Sequence, residues 1–324
     1  MGKKIVAIVL LVALRASGQD IPVHDPVMIR QDSIYYVFCT GMGITVWSSS
    51  DRTHWYRESP VFSQPPSWAM QLVPGFRGHI WAPDISLYQG KYCLFYAVST
   101  FGKNNSCIGL AVNTTLHKDA PDFHWEDRGM VLHSIPGRDL WNAIDPNLIL
   151  DSAGDPWLTF GSFWDGIKLV RLRADLGGPR EPERWYTLAS RPRGFGLADT
   201  SAGNGAIEAP FIFHHGDWYY LFVSFDYCCR GAASNYRVMV GRSHEVYGPY
   251  VDRDGVLMTS GGGTPVLEGD ERWHGVGHNA VCTFDGVDYI IYHGYDATDG
   301  GIAKLRIDRL DWDNEGWPGH YFVK

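Results

Sequence analysis

Several things are missing from this 324-residue chain. It has no excess of positive charge, since 28 Lys and Arg against 36 Asp and Glu leave a formal net charge of −8. That argues against nucleic acid or an anionic membrane as partner. It has no apolar run of the roughly 20 residues that a membrane-spanning helix needs. The one sustained apolar stretch, Ile5 to Leu14, follows Lys3 and Lys4 and breaks at Arg15-Ala16-Ser17-Gly18. A basic start, a short apolar core and small residues beyond it read as a secretory signal peptide over residues 1–18. Residues 19–324 are expected to form one exported domain, because no charge block, low-complexity linker or heptad pattern marks a second; a monomer is expected, although composition does not bear on oligomeric state. Long amphipathic helices are absent too. Cysteine is sparse: six residues, with no Cys-x-x-Cys or His-x-x-His spacing for zinc. Cys39, Cys93 and Cys282 fall in apolar strands, where buried free thiols are common. Cys228-Cys229 is an adjacent pair in a polar loop, and the pairing stays open.

Aromatics, by contrast, are dense, with 13 Trp, 17 Tyr and 15 Phe. They recur in a pattern. A short acid- and proline-containing stretch leads into an apolar run, a polar turn, and then an aromatic-rich strand. The copies begin at His24-Asp25-Pro26, Trp81-Ala82-Pro83-Asp84, Asn142-Ala143-Ile144-Asp145-Pro146-Asn147, Ile207-Glu208-Ala209-Pro210 and, more loosely, Gly277-His278-Asn279. Their spacing of about 60 residues, with a hairpin in each unit, is the mark of a propeller with four-stranded blades. An all-β, five-bladed β-propeller is expected, with the segment Val23 to Ile29 adding to the last blade to close the ring.

Innermost strands of a propeller line its axis, so equivalent positions converge at one end of the central channel. Asp25, Asp145 and Glu208 stand at near-equivalent positions and are expected to face each other there. Crowded carboxyls raise each other's pKa, leaving one protonated and another ionised. Each alone reads as a turn residue beside proline; the repeat-locked set does not. Two acids flanking a sugar linkage are what glycoside hydrolysis requires, and a third can set the proton and orientation of the first.

With these residues the chain resembles glycoside hydrolase family 43, and within it the endo-α-1,5-L-arabinanases. The likeness runs from His24 to Pro318, through Trp81-Ala82-Pro83-Asp84, Val98-Ser99-Thr100-Phe101-Gly102, the Asp145 stretch, Gly161-Ser162-Phe163-Trp164-Asp165-Gly166, the Glu208 stretch and Tyr227-Cys228-Cys229-Arg230-Gly231. The resemblance implies Asp25 as general base, Glu208 as general acid and Asp145 as the residue tuning Glu208, with inversion at the anomeric carbon. Inversion in turn asks for base and acid roughly 6.5–9.5 Å apart. It implies a calcium ion beside His278 in the channel, held largely through water, although calcium prefers oxygen ligands. Trp81, Phe101, Asn147, Ser162 and Trp164 are expected to contact the substrate, an arabinan chain cut internally. Asp84, which follows its proline, is read as structural. The alternatives are an exo-acting α-L-arabinofuranosidase or β-xylosidase of the same family, and a sugar-binding propeller without catalysis. Asn104 and Asn113 match the N-glycosylation pattern.

Overall fold

The computed structural model describes the backbone of residues 15–17, 20–319 and 321–322, and the side chains of 20–319. Most of the leader expected over residues 1–18 lies outside the described residues. Five sheets form a five-bladed propeller, as the repeat predicts. Blade 1 runs outward from Val27–Gln31 through Ile34–Cys39 and Thr45–Ser49 to His54–Arg57, with Arg15–Ser17 paired beyond it. Blade 2 holds His79–Tyr88, Lys91–Val98, Ser106–Asn113 and Glu126–Ser134. Blade 3 holds Asn147–Leu150, Pro156–Phe160, Ile167–Arg171 and Trp185–Ala189. Blade 4 holds Ile207–His215, Trp218–Phe225, Arg237–Ser243 and Thr264–Glu268, with Tyr321–Phe322 parallel at its edge. Blade 5 has three strands of its own, Trp273–Phe284, Val287–Asp296 and Ile302–Arg309.

The ring closes through Ile21 to Val23. The Val23 amide donates to the Ala303 carbonyl at 3.1 Å, and the Leu305 amide donates back to Ile21 at 3.1 Å. The closing segment is therefore shorter and earlier than Val23 to Ile29, because Val27 onward is already the inner strand of blade 1. Closure joins the two ends of the ring and leaves no open edge between first and last blades.

Why the strands read as nearly continuous apolar runs follows from the packing. Blade faces are covered on both sides, so successive residues of one strand serve two different interfaces. In blade 2, Tyr92, Leu94, Tyr96 and Val98 join the core shared with blade 1. Cys93 and Phe95, between them in sequence, join the core shared with blade 3. Five such clusters fill the five interfaces, and the last, around Trp47, Trp55, Ile291 and Leu305, seals blade 5 against blade 1. Each large side chain so buried contributes roughly 1.5–3 kcal/mol. Most of the aromatic excess is therefore core. Among the described residues no helix is long and apolar enough to cross a membrane.

Both glycosylation patterns fall on buried asparagines. Asn104 donates to the carbonyls of Asp139 and Trp141 at 2.9 and 3.2 Å, and the Asn113 carbonyl oxygen receives the amides of Thr115 and His124. In the folded protein neither side chain is presented for a glycan.

Candidate active site

One backbone device repeats at the head of every inner strand. Asp25, Ala82, Asp145, Ala209 and His278 all sit in the left-handed region, with φ of 53, 41, 57, 53 and 48°. The first four precede proline, which disfavours helical conformations for the residue before it. A non-glycine residue held there costs about 1 kcal/mol or more, so the surroundings must enforce it. They do so from the preceding blade. The amide of Asp25 donates to His293 Nδ1 at 3.1 Å, and that of Ala82 to Thr40 Oγ1 at 2.8 Å. The amide of Ala209 donates to Asp145 Oδ2 at 3.1 Å, and that of His278 to Ser224 Oγ at 2.8 Å.

This register corrects one sequence expectation. Asp25, Asp145 and His278 are true equivalents. Glu208 is not: it stands one residue earlier, at the position of His24, Trp81 and Gly277. A shift of one normally sends a side chain to the other face of a strand. A bulge between Glu208 and Phe211 interrupts the pairing with the second strand of blade 4, as bulges do after Trp81 in blade 2 and Gly277 in blade 5, and bulges re-aim side chains. Glu208 thereby joins the same electrostatic cluster as Asp145, His278 and Asp25.

Asp25 is buried among histidines. Its Oδ1 lies 2.8 Å from His24 Nδ1 and 3.0 Å from His278 Nδ1, and Thr40 Oγ1 donates to Oδ2 at 2.6 Å. Burial alone would raise its pKa, but the charge and hydrogen bonds of His24 and His278 outweigh that and hold it well below the usual carboxylate range. His278 moves the other way. Burial opposes its charge, yet Asp25, Asp145 and Glu208 together raise it to about 9. Burial pushes Asp145 up to about 6, against the charge of His278 and the Ala209 amide. Glu208 is pushed furthest, to about 8, by burial and then by the charge of Asp145. Ser162 Oγ donates to Glu208 Oε2 at 2.6 Å.

Several contributors were not among the expected site residues. His293 is wholly buried, stacks on His24 at 4.1 Å between ring centroids, and is held neutral by burial. Tyr295 links His24 Nε2 at 2.7 Å to the amide of Cys229 at 2.8 Å. Cys228 and Cys229 form a disulfide between adjacent residues, with Cys228 Sγ 3.6 Å from Glu208 Oε1. Cys39, Cys93, Cys107 and Cys282 are free. A His beside Asp25, and a doubled Cys one hairpin after Glu208, were the available signals.

The residues expected to contact substrate divide. Trp81 is half-buried, with its indole nitrogen donating to His79 at 3.0 Å, and Phe101 is 80% exposed on the loop after the second strand of blade 2. Both remain candidates for sugar stacking. Asn147 is 2% exposed; it donates to Asp84 and accepts the Ile212 amide at 2.8 Å, tying blades 2, 3 and 4 together. Asp84 accepts the Leu148 amide at 2.8 Å, a structural role as expected. Ser162 is 4% exposed and donates to Glu208. Trp164 is 3% exposed and donates to the Asp199 carbonyl at 2.9 Å, anchoring the loop 190–206. Asn147, Ser162 and Trp164 are thus buried, with partners from neighbouring blades and loops.

For an ion, the tight donor groups among the described residues are His24–Asp25–His293 and His24–Cys228–Cys229. The first is occupied by its own hydrogen bonds, and the second contains the disulfide. His278 has Nδ1 engaged by Asp25, so Nε2 is the ring atom left for an ion, which would take the place of a proton. Three carboxyls around it make the axis favourable to a cation whose other ligands are water oxygens.

Carboxyls pushed apart in pKa at the mouth of a propeller channel fit the chemistry of a glycoside hydrolase. The chain belongs to the glycosyl hydrolases family 43, whose family pattern matches residues 20–318. It is 49% identical, over 96% of its length and 90% of the other's, to an extracellular exo-α-(1→5)-L-arabinofuranosidase of Cellvibrio japonicus. It is 41% identical, over 92% and 87%, to an extracellular endo-α-(1→5)-L-arabinanase of Bacillus subtilis. The solved α-L-arabinanase of Cellvibrio cellulosa, complexed with arabinohexaose, superposes with a TM-score of 0.91 at 49% identity, over 93% of this chain and 95% of that one.

Proposed function

We propose that this protein is a secreted hydrolase of α-1,5-linked L-arabinan, inverting at the anomeric carbon. The observation that carries the mechanism is the separation of states: Glu208 raised to about 8, Asp25 held well below its usual range. Glu208 gives its proton to the leaving oxygen as the glycosidic bond breaks. Water attacks the anomeric carbon from the opposite side and loses its proton to Asp25. Asp145 keeps Glu208 protonated by its charge and holds the Ala209 amide next to it. Ser162 orients the acid; Trp81 and Phe101 offer rings to the sugar. The arabinan substrate is supported by the names of the relatives above, and export by the leader pattern and the word extracellular in two of those names.

On mode, the reading favoured here is release from a chain end. The more similar of the two relatives carries exo in its name, and the loop 190–206, held by Trp164 and braced internally by Arg193, leads in sequence directly into Glu208, where it would limit an open cleft. The sequence-level preference for internal cutting is the second reading, supported by the Bacillus relative. Incubation with linear debranched arabinan separates them. Slow viscosity loss with short products from the outset supports chain-end action. A fast viscosity drop with a ladder of oligosaccharides supports internal cutting. No hydrolysis at all sinks the substrate assignment.

Two further outcomes are expected. The alkaline limb of kcat/KM falls near pH 8, since the acid must be protonated. Asp145→Asn removes a charge that raises Glu208, so this limb shifts to lower pH by about one unit; an unmoved limb would separate Asp145 from the acid. A calcium ion at His278 is also proposed, serving to neutralise the crowded acids. Chelation is then expected to lower Tm or activity, with calcium restoring it, and no change in either argues the ion away.

A further inference from the structure

A second aromatic cleft opens on the outer wall of the propeller, between the outer strands of blades 2 and 3. Its volume is about 480 Å³, and His133, Arg138, Asp139, Trp141, Glu183 and Trp185 line it. Trp185 is 39% exposed there, whereas Trp47, Trp55, Trp157, Trp273 and Trp317 are buried in the blade interfaces. The ring is not loose. Trp141 stacks on it with centroids 5.4 Å apart and planes 23° apart, and Phe160 stands edge-on at 6.1 Å. Its indole nitrogen donates to Glu183 Oε2 at 2.8 Å, which fixes the rotation of the ring.

The polar groups around it are ordered as well. Arg138 forks onto Asp139 at 2.6–3.1 Å and donates to the His133 carbonyl at 3.0 Å. His133 Nε2 lies 2.9 Å from Asn105 Oδ1. A fixed, part-exposed indole ringed by planar hydrogen-bonding groups suits a sugar: an apolar ring face stacks on the indole, and hydroxyls reach the charged groups. The cleft is also tied to the active face. Asn104, on the loop that carries exposed Phe101, donates to the carbonyls of Asp139 and Trp141 in the wall of the cleft. One rigid segment thus supports both aromatics.

We propose that this cleft is a second binding site for the substrate polysaccharide, holding one or two sugar residues of the chain on Trp185 with their hydroxyls toward Arg138, Asp139 and Glu183. It rests on the polysaccharide-hydrolase reading above. None of its residues touches the three catalytic carboxyls, so it retains the polymer without taking part in bond cleavage.

The test uses the full chain with Glu208→Gln, which binds without cutting, and affinity electrophoresis in gels containing linear arabinan or xylan. Adding Trp185→Ala is expected to weaken retention on arabinan about fivefold, with Arg138→Ala acting in the same direction. With Glu208 restored, Trp185→Ala should lower kcat/KM on the polymer about threefold and leave that on arabinotriose unchanged. Equal retention with and without Trp185 overturns the site. So does a parallel loss on trimer and polymer, or a large fall in Tm, either of which makes Trp185 a structural residue; the Arg138 variant, whose own bonds run to Asp139 and the His133 carbonyl rather than to the indoles, then shows whether any retention is left to explain. If wild type cleaves and is retained by xylan instead, and Trp185→Ala abolishes that retention, the cleft stands while the arabinan assignment falls. A concentration-dependent dimer lost in Trp185→Ala, with retention unchanged, makes the cleft an interface between copies and overturns the proposal.

Discussion

Glu208→Gln is expected to lower hydrolysis of arabinan by about 10³-fold while leaving the fold unchanged, in the range that a positioned general acid contributes. The amide has the shape of the protonated carboxyl and can still accept the Ser162 hydroxyl now 2.6 Å from Oε2. What it lacks is a proton to give. At pH below about 8 the wild-type side chain is already neutral, so the substitution exchanges one neutral group for another and removes no ion pair. The sharper readout compares leaving groups. An aryl arabinofuranoside, whose phenolate departs without protonation, should lose about tenfold or less. Equal losses on both substrates, or a Tm several degrees lower, would make Glu208 a structural residue and sink its role as acid.

Asp25→Asn is expected to abolish turnover to a similar or greater degree, about 10³–10⁴-fold, on both kinds of substrate, because water activation is needed whatever the leaving group. Unlike the first variant it should also destabilise. Asp25 receives His24, His278 and Thr40, and removing one partner of a buried charged pair costs about 3–5 kcal/mol. The sign with pH is set by His278. Its folded pKa is raised to about 9, so the stability it contributes through Asp25 is fully present below its unfolded value and is lost as pH rises through about 9. The Tm deficit of Asp25→Asn should therefore be largest between about pH 4, below which Asp25 begins to lose its own contribution, and about pH 6.5, and shrink above pH 9. Measurement in chelator keeps an ion from competing with the proton on His278. A deficit independent of pH across that range would mean that Asp25 and His278 do not act as a charged pair.

The substrate-facing and structural roles of polar residues separate on one physical point. Asn147 and Ser162 stand inside conspicuous motifs, yet their partners are the Ile212 amide and the Glu208 carboxyl, in the next blade. Trp164 reads in sequence as an aromatic platform, but its indole nitrogen meets a carbonyl of a loop that sequence pattern does not position. Side chains that hold a strained backbone at the channel mouth look, residue by residue, like side chains that hold a sugar. Only burial and the identity of the partner tell them apart.

What the sequence by itself determined is what repeats: five units, the aromatic strands whose alternate residues fill two interfaces, and the placement of Asp25, Asp145 and His278 at one repeat position on the axis. Periodicity is local information, and each blade hairpin pairs within a few tens of residues. That the N-terminal segment closes the ring was legible, but not that Ile21 to Val23 does so, nor the one-residue offset of Glu208. The His24–His293–Tyr295 support of Asp25, and the adjacent Cys228–Cys229 disulfide beside the acid, came only with the tertiary structure. The reason is chain separation. His293 lies 268 positions from Asp25, and Tyr295 lies 271 from His24, so the groups that set the charge of the base meet only once the last blade has closed on the first.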